Sequence, residues 1–269
     1  MSLLNDRWAL PDRYSALLWC KRRNQQKIRC IIDMLGENAG SPDQAQRCRD
    51  ACISTAQSIS ENGLAASLAI KLTALGVLMD EDLAKENALL VQKAASSWNV
   101  DTEIDMEGAA LVDFAGEVAL ACARQGKPVT IALQSYLHRT EDDIEKLSRN
   151  GLRIRLVKGA YLGDIRDYEE IEKSFMKCFA LLLQSGRPFS AGTHDPRLLS
   201  WMREKLGQKR DLMEFGFLKG LADETKLKMA GEGFRVAEYI PFGRSDRAYA
   251  ARREKYLRDL DRMNRAAAD

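Results

Sequence analysis

Residues able to do acid–base or ligand-binding chemistry recur at a regular interval along this chain, each beside a short apolar run. They are Asp33 and Glu37, Lys71, Asp105 and Glu107, Gln134 and Tyr136, Arg155 and Lys158, Thr193, His194 and Asp195, and Tyr239. Parallel strands buried on both faces should be nearly all apolar, so such a set is out of place unless the strand ends converge on a site. Each residue also has a plain structural role open to it. Lys71 could snorkel to water, Asp105 could cap the next helix, and Asp195 before Pro196 suits a helix N-cap. The set as a whole, more than any member, points to an enzyme.

Three chemistries compete for these residues. Asp105, Glu107, His194 and Asp195 could ligate a metal. Lys71, Arg155 and Lys158 would bring positive charge to the same place, which favours an anionic ligand, so no metal is expected. Lys158 or Lys71 could form a Schiff base if its pKa were lowered. The third chemistry is capture of a carboxylate. Arg252 and Arg253, in a last helix rich in Arg and Asp, offer guanidinium groups suited to that task. Adjacent helical residues diverge by about 100°, so both reach one ligand only near the rim. A solvated basic face is their bland alternative.

The elements that must position these residues alternate along the chain. Apolar, β-branched runs at 27–35, 65–72, 101–106, 129–136, 152–159, 188–194, 212–218 and 234–242 read as strands, and segments of helical spacing lie between them. Strands alternating with helices pair in parallel through crossovers. Eight units in 269 residues predict a closed α/β barrel of the TIM type, (β/α)8, whose C-terminal strand ends form the rim where active sites are built. A doubly wound sheet is the alternative, but LGENAG after the first strand lacks its Gly-x-Gly-x-x-Gly turn. Residues 1–26 are expected to be a helical extension over the bottom or flank of the barrel, and residues 27–269 the barrel itself.

The 41 basic and 39 acidic residues nearly cancel, so no nucleic-acid partner is expected. The six cysteines are dispersed and read as free thiols of a reducing compartment. The N-terminus interrupts its apolar residues with charge, so no signal peptide is expected. No apolar run reaches membrane-spanning length. The expected location is cytoplasmic.

The chain resembles the proline dehydrogenase family. The motifs that carry the likeness are LGE at 35–37, IKLTALG at 70–76, IDME at 104–107, LQSYLHRTEDD at 133–143, RLVKGAY at 155–161, GTHD at 192–195, EFGFLKG at 214–220 and YIPFG at 239–243, closed by Tyr249-x-x-Arg252-Arg253. They stand in family order across residues 28–256. The resemblance implies noncovalent FAD in a distorted barrel whose last helix lies over the rim. It implies that Lys71, Arg252 and Arg253 bind the proline carboxylate, and that Asp105, Ala160, Tyr161, Leu218, Tyr239 and Tyr249 line the rest of the pocket. Gln134, Arg155, Val157, Lys158, Gly159, Ala160, Thr193 and His194 would hold the flavin. Glu37 would pair with an arginine of the empty site and gate it. Proline would become Δ1-pyrroline-5-carboxylate, with electrons passed to a quinone or other acceptor through peripheral contact at the inner face of the membrane.

Gly216 and Lys219 stand where the family usually carries glutamine and a bulkier residue, and Tyr256 stands in place of a glutamate. The loop RSDRA lacks the usual aromatic, and the segment LGDIRDYEE is short and charged. Hydroxyproline or another cyclic secondary amino acid is the nearest alternative substrate. A Schiff-base lyase built on Lys158 and a noncatalytic ligand-binding barrel are the others.

Overall fold

A computed structural model describes residues 7–159, 163–243, 251, 254, 257 and 258. Eight parallel strands close into a barrel in chain order: β1 (Ile28–Met34), β2 (Ala66–Ile70), β3 (Asp101–Ile104), β4 (Val129–Gln134), β5 (Arg153–Val157), β6 (Phe189–Gly192), β7 (Met213–Leu218) and β8 (Arg235–Phe242). Helices α2 (Pro42–Glu61), α3 (Glu81–Ser97), α4 (Val112–Ala123), α5 (Thr140–Arg149), α6 (Tyr168–Gln184), α7 (Pro196–Leu206) and α8 (Asp223–Gly231) make the crossovers, and α1 (Arg13–Gln25) precedes β1. Each strand falls within the run that predicted it. The doubly wound alternative fails because β8 pairs with β1 and closes the sheet.

Local sequence starts the helices where the barrel needs them. Asp12, Ser41, Asp80, Asp167 and Asp195 cap α1, α2, α3, α6 and α7, each side chain accepting a first-turn backbone N–H. Pro42 and Pro196 occupy first helical turns, where no N–H is missed. Of the two places open to α1, it takes the flank, against β1 and β8. The six cysteines are free, and all but half-buried Cys48 are buried.

The main apolar core lies between the outer face of the strands and the helices, built by residues such as Ile28, Ile32, Leu68, Phe175, Phe179 and Phe215. The lumen is different. TIM-type barrels usually fill it with layers of branched apolar side chains. Here a small apolar layer of Ile31, Ala69 and Ala237 is joined by ion pairs between strands that are not neighbours. Arg29 of β1 holds Glu214 of β7 and Glu103 of β3, and Arg155 of β5 holds Glu103. Such bonds must cross the interior, so the barrel carries charged residues among its inward-facing side chains.

The segment before α1 rises to the rim. Leu10 pairs with Phe242, its N–H donating to Pro241 O at 2.9 Å while Gly243 N donates to Leu10 O at 2.8 Å. Gly220, at φ +80°, lies against the Arg7 carbonyl, where a side chain would collide with backbone. This contact packs the segment onto the loop after β7.

Candidate active site

Lys71 follows β2 directly and turns into the barrel. It does not snorkel to water: it is buried, and its ammonium group is paired with Asp33 of β1, lies 3.2 Å from Asp105 after β3 and donates to Tyr239 Oη of β8 at 2.9 Å. Asp105 does not cap a helix. It accepts from Arg155 and from the Tyr239 hydroxyl. Four strand ends thus deliver one cation, two carboxylates and a phenol to a single point, and Asp105 links that point to the Arg155 guanidinium.

Burial acts first on these groups and charge then decides them. Desolvation alone would lower the Lys71 pKa, but Asp33 and Asp105 outweigh it and hold the ammonium charged well above its usual range. Desolvation would raise Asp105, but Lys71 and Arg155 outweigh it and keep the carboxylate ionised. In Asp33 burial wins, helped by the nearby Asp105 charge, and its pKa is raised. Its Oδ2 has no hydrogen-bond partner. Tyr239 is pushed up by burial and by both carboxylates, so it stays a phenol and a donor. A lysine held charged is no Schiff-base nucleophile, which removes Lys71 from that role.

The second half of the rim spans β4 to β7. Gln134 ends β4 beside Val157 of β5. Its amide is buried, and neither Nε2 nor Oε1 finds a partner. Lys158 donates to Asp195 Oδ2 at 2.8 Å and to the Tyr168 hydroxyl, which itself bonds Asp195. Burial lowers the Lys158 pKa against the pull of Asp195. Asp195 keeps its capping role as well, accepting from Arg197 N at 3.0 Å with its other oxygen. Thr193 Oγ1 accepts from Asp195 N at 3.1 Å. His194 Nε2 accepts from Leu218 N at 3.0 Å, tying the end of β6 to the end of β7. Gly159, at φ +143°, runs under the Tyr136 ring so closely that a Cβ would overlap it. Beside His194 a cavity of about 430 Å3 opens between α7 and α8, reached also by Arg7, Ser200, Arg203 and Leu257.

A family model described as proline dehydrogenase matches residues 17–255. The chain belongs to the proline dehydrogenase family. Proline dehydrogenase 1 of Bacillus subtilis subsp. natto is 29% identical over 246 residues, covering 89% of this chain and 82% of that protein. Proline dehydrogenase of Deinococcus radiodurans is 28% identical over 265 residues, covering 91% and 86%. Among solved structures, proline utilization A (PutA) from Bdellovibrio bacteriovorus, inactivated by N-propargylglycine, superposes with a TM-score of 0.83 at 19% identity. That match covers 97% of this chain and 32% of the other, so the chain spans about a third of that protein and shares its barrel fold.

Set against the proline dehydrogenase motifs, the structure brings Lys71, Asp105, Tyr239 and Arg155 into one bonded cluster, and places Gln134, Val157, Lys158, Gly159, Thr193, His194 and Leu218 along the adjoining strand ends. Glu37 follows β1 and is half-buried. Ala160, Tyr161, Tyr249, Arg252, Arg253 and Tyr256 lie outside the described residues. So does any pairing of Glu37 with the two arginines. Glu107, a candidate ligand by type, instead accepts from Thr73 N at 2.9 Å and from the Thr73 hydroxyl, and steadies the loop after β2.

Glu103 and Tyr168 are not among the sequence candidates, and Asp33 is one by type with no role assigned to it. Asp33 and Glu103 carry a usable signal: in DTEIDM and IRCIIDM the period of two puts Glu103 with Asp105, and Arg29 with Asp33, on one strand face. Tyr168 carries none, because the crossover between β5 and α6 sets its position.

Proposed function

We propose that the chain oxidises L-proline to Δ1-pyrroline-5-carboxylate as the first step of proline breakdown, with FAD as cofactor. The observation that carries this reading is the cluster in which Asp105 joins a fixed, charged lysine to the Arg155 guanidinium. It supports a carboxylate anchor and a cofactor contact held in fixed relation at one rim. Lys71 would hold the substrate carboxylate through a charge-assisted bond, completed by Arg252 and Arg253. Tyr239 and Leu218, with Ala160, Tyr161 and Tyr249, would wall the ring. Arg252 and Arg253, added to Lys71, would make the pocket positive and disfavour a protonated amine, so proline would react with the neutral nitrogen from which loss of the adjacent C–H is easiest.

The residues present fit a flavin. The orphaned amide of Gln134 offers an NH2 donor group and a carbonyl acceptor that find no partner among the described residues, which suits the polar edge of the isoalloxazine ring. Arg155, Val157, Lys158, Gly159, Ala160, Thr193 and His194 would complete the holding set. FAD, when bound there, supplies the two-electron acceptor that no side chain can provide. For Lys158 to reach it, the bonds to Asp195 and Tyr168 would have to open or be shared.

A quinone or another acceptor would then take the electrons. No described helix is long and apolar enough to cross a membrane, so contact with a membrane quinone would be peripheral. The purified protein, loaded with FAD, is expected to turn yellow and reduce a dye in a proline-dependent way. Equal or better turnover of hydroxyproline would replace the substrate. A colourless protein that takes up no FAD would remove the reading.

A further inference from the structure

Glu103 of β3 and Asp105 just after it share the inner face of the strand, and of the two only Asp105 reaches the rim. Glu103 lies one pleat below, 2% exposed, with both oxygens engaged. Oε1 accepts from Ser67 Oγ at 2.5 Å and from Arg29 Nη2 at 3.0 Å, and Oε2 accepts from Arg155 Nη1 at 2.7 Å. Arg155 gives its other terminal nitrogen to Asp105. Below, Arg29 grips Glu214 with Nε at 2.9 Å and Nη2 at 2.7 Å. Read from the bottom of the barrel upward, the charges alternate: Glu214, Arg29, Glu103, Arg155. The chain of ion pairs then passes through the guanidinium that the cofactor reading places beside the flavin to Asp105 and Lys71 at the rim.

We propose that Glu103 is a positioning residue that sets how much of the Arg155 charge reaches the cofactor, and that Arg29 in turn sets how much of the Glu103 charge falls on Arg155. Glu103 and Arg155 are buried, so water and salt screen their pair less than a surface pair, while Arg29 is partly exposed. Removing the Glu103 charge while keeping its shape unmasks Arg155 and favours the electron-rich, reduced cofactor. Removing the Arg29 charge leaves Glu103 undivided on Arg155 and favours the oxidised one. A purely structural role predicts something else. Loosening Arg155 from either side would move the potential in one direction only. Alternation of sign is therefore the signature of the inference.

This inference rests on the proposed FAD site, and its test separates the two. The reduction potential of FAD bound to the full chain is measured by titration against a reference dye, in the unaltered protein and in Glu103→Gln, Arg29→Gln and Glu214→Gln. Glu103→Gln is expected to shift the equilibrium about tenfold toward the reduced form, about 30 mV upward for a two-electron couple. Arg29→Gln is expected to shift it downward, and Glu214→Gln, which frees Arg29 for Glu103, upward again by less. Shifts of one sign, or none, with FAD retained would overturn the inference and leave the cofactor reading standing. An unaltered protein that binds no FAD overturns both. Should Glu103→Gln fail to fold, the opposed signs of the other two variants decide.

Discussion

Lys71 is asked to do two things with one charge. In the structure it neutralises Asp33 and Asp105, and in the proposed reaction it meets a third carboxylate, that of the substrate. The raised pKa of Asp33 makes this workable, since an Asp33 that holds a proton leaves Lys71 with positive charge to spare. Lys71→Met is then expected to weaken proline capture by about 1.5–3 kcal/mol, the worth of a hydrogen bond to a charged group, or roughly 10- to 150-fold in KM. Flavin content should not move, because Lys71 touches the substrate side of Asp105. Absorbance of the purified variant reads the flavin and steady-state kinetics read KM; loss of flavin in place of a KM effect would show that the division of roles is wrong.

At the scale of elements, the strands were legible because each is a short β-branched run that ends in a polar residue, and the polar ends pointed to the rim. The pairing inside the lumen was not. Arg29 and Glu214 are 185 positions apart, and nothing local in either strand announces a partner across a closed barrel. The same limit hid Glu238, which lies on the outer face of β8 with no exposure. It accepts from Trp19 and Arg23 of α1 and from Lys226 of α8, and so clamps the N-terminal helix and the last described crossover helix to one strand. Burial would raise its pKa, but Arg23 and Lys226 outweigh it and hold the carboxyl below its ordinary value of 4.5. A carboxyl depressed in the folded state contributes stability that is present above its unfolded pKa and lost as pH falls through the folded one. Glu238→Gln takes the buried carboxylate from Arg23 and Lys226, leaves them only the half-exposed Asp223, and should cost up to about 3–5 kcal/mol near neutrality. That deficit should shrink as the pH is lowered below about 4.5, where the unaltered protein loses the same interaction. Urea midpoints at neutral and acid pH test this; a gap that stays constant would mean that Glu238 does not clamp through its charge.

For the molecule as a whole, the residues that the function needs are those that the fold tolerates least. A buried amide without partners costs about 1–3 kcal/mol, and Gln134 places one at the end of β4 in the middle of the rim. A sequence selected for stability alone would carry an apolar residue there, so Gln134 separates what folds the barrel from what loads it. Gln134→Leu keeps the approximate volume and removes the orphaned atoms, and the cofactor-free variant should be more stable than the unaltered protein by about that amount. FAD should reverse the order. A ligand that binds only the folded state stabilises it by RT ln(1 + [L]/Kd), about 2.7 kcal/mol at a hundredfold excess over Kd. The unaltered protein should gain that increment and the variant much less, because its contact to the flavin edge is gone. Thermal unfolding of both proteins, with and without FAD, gives the four values needed. A variant that is less stable without FAD, or that gains as much from FAD as its parent, would mean that the amide serves the barrel and not the cofactor.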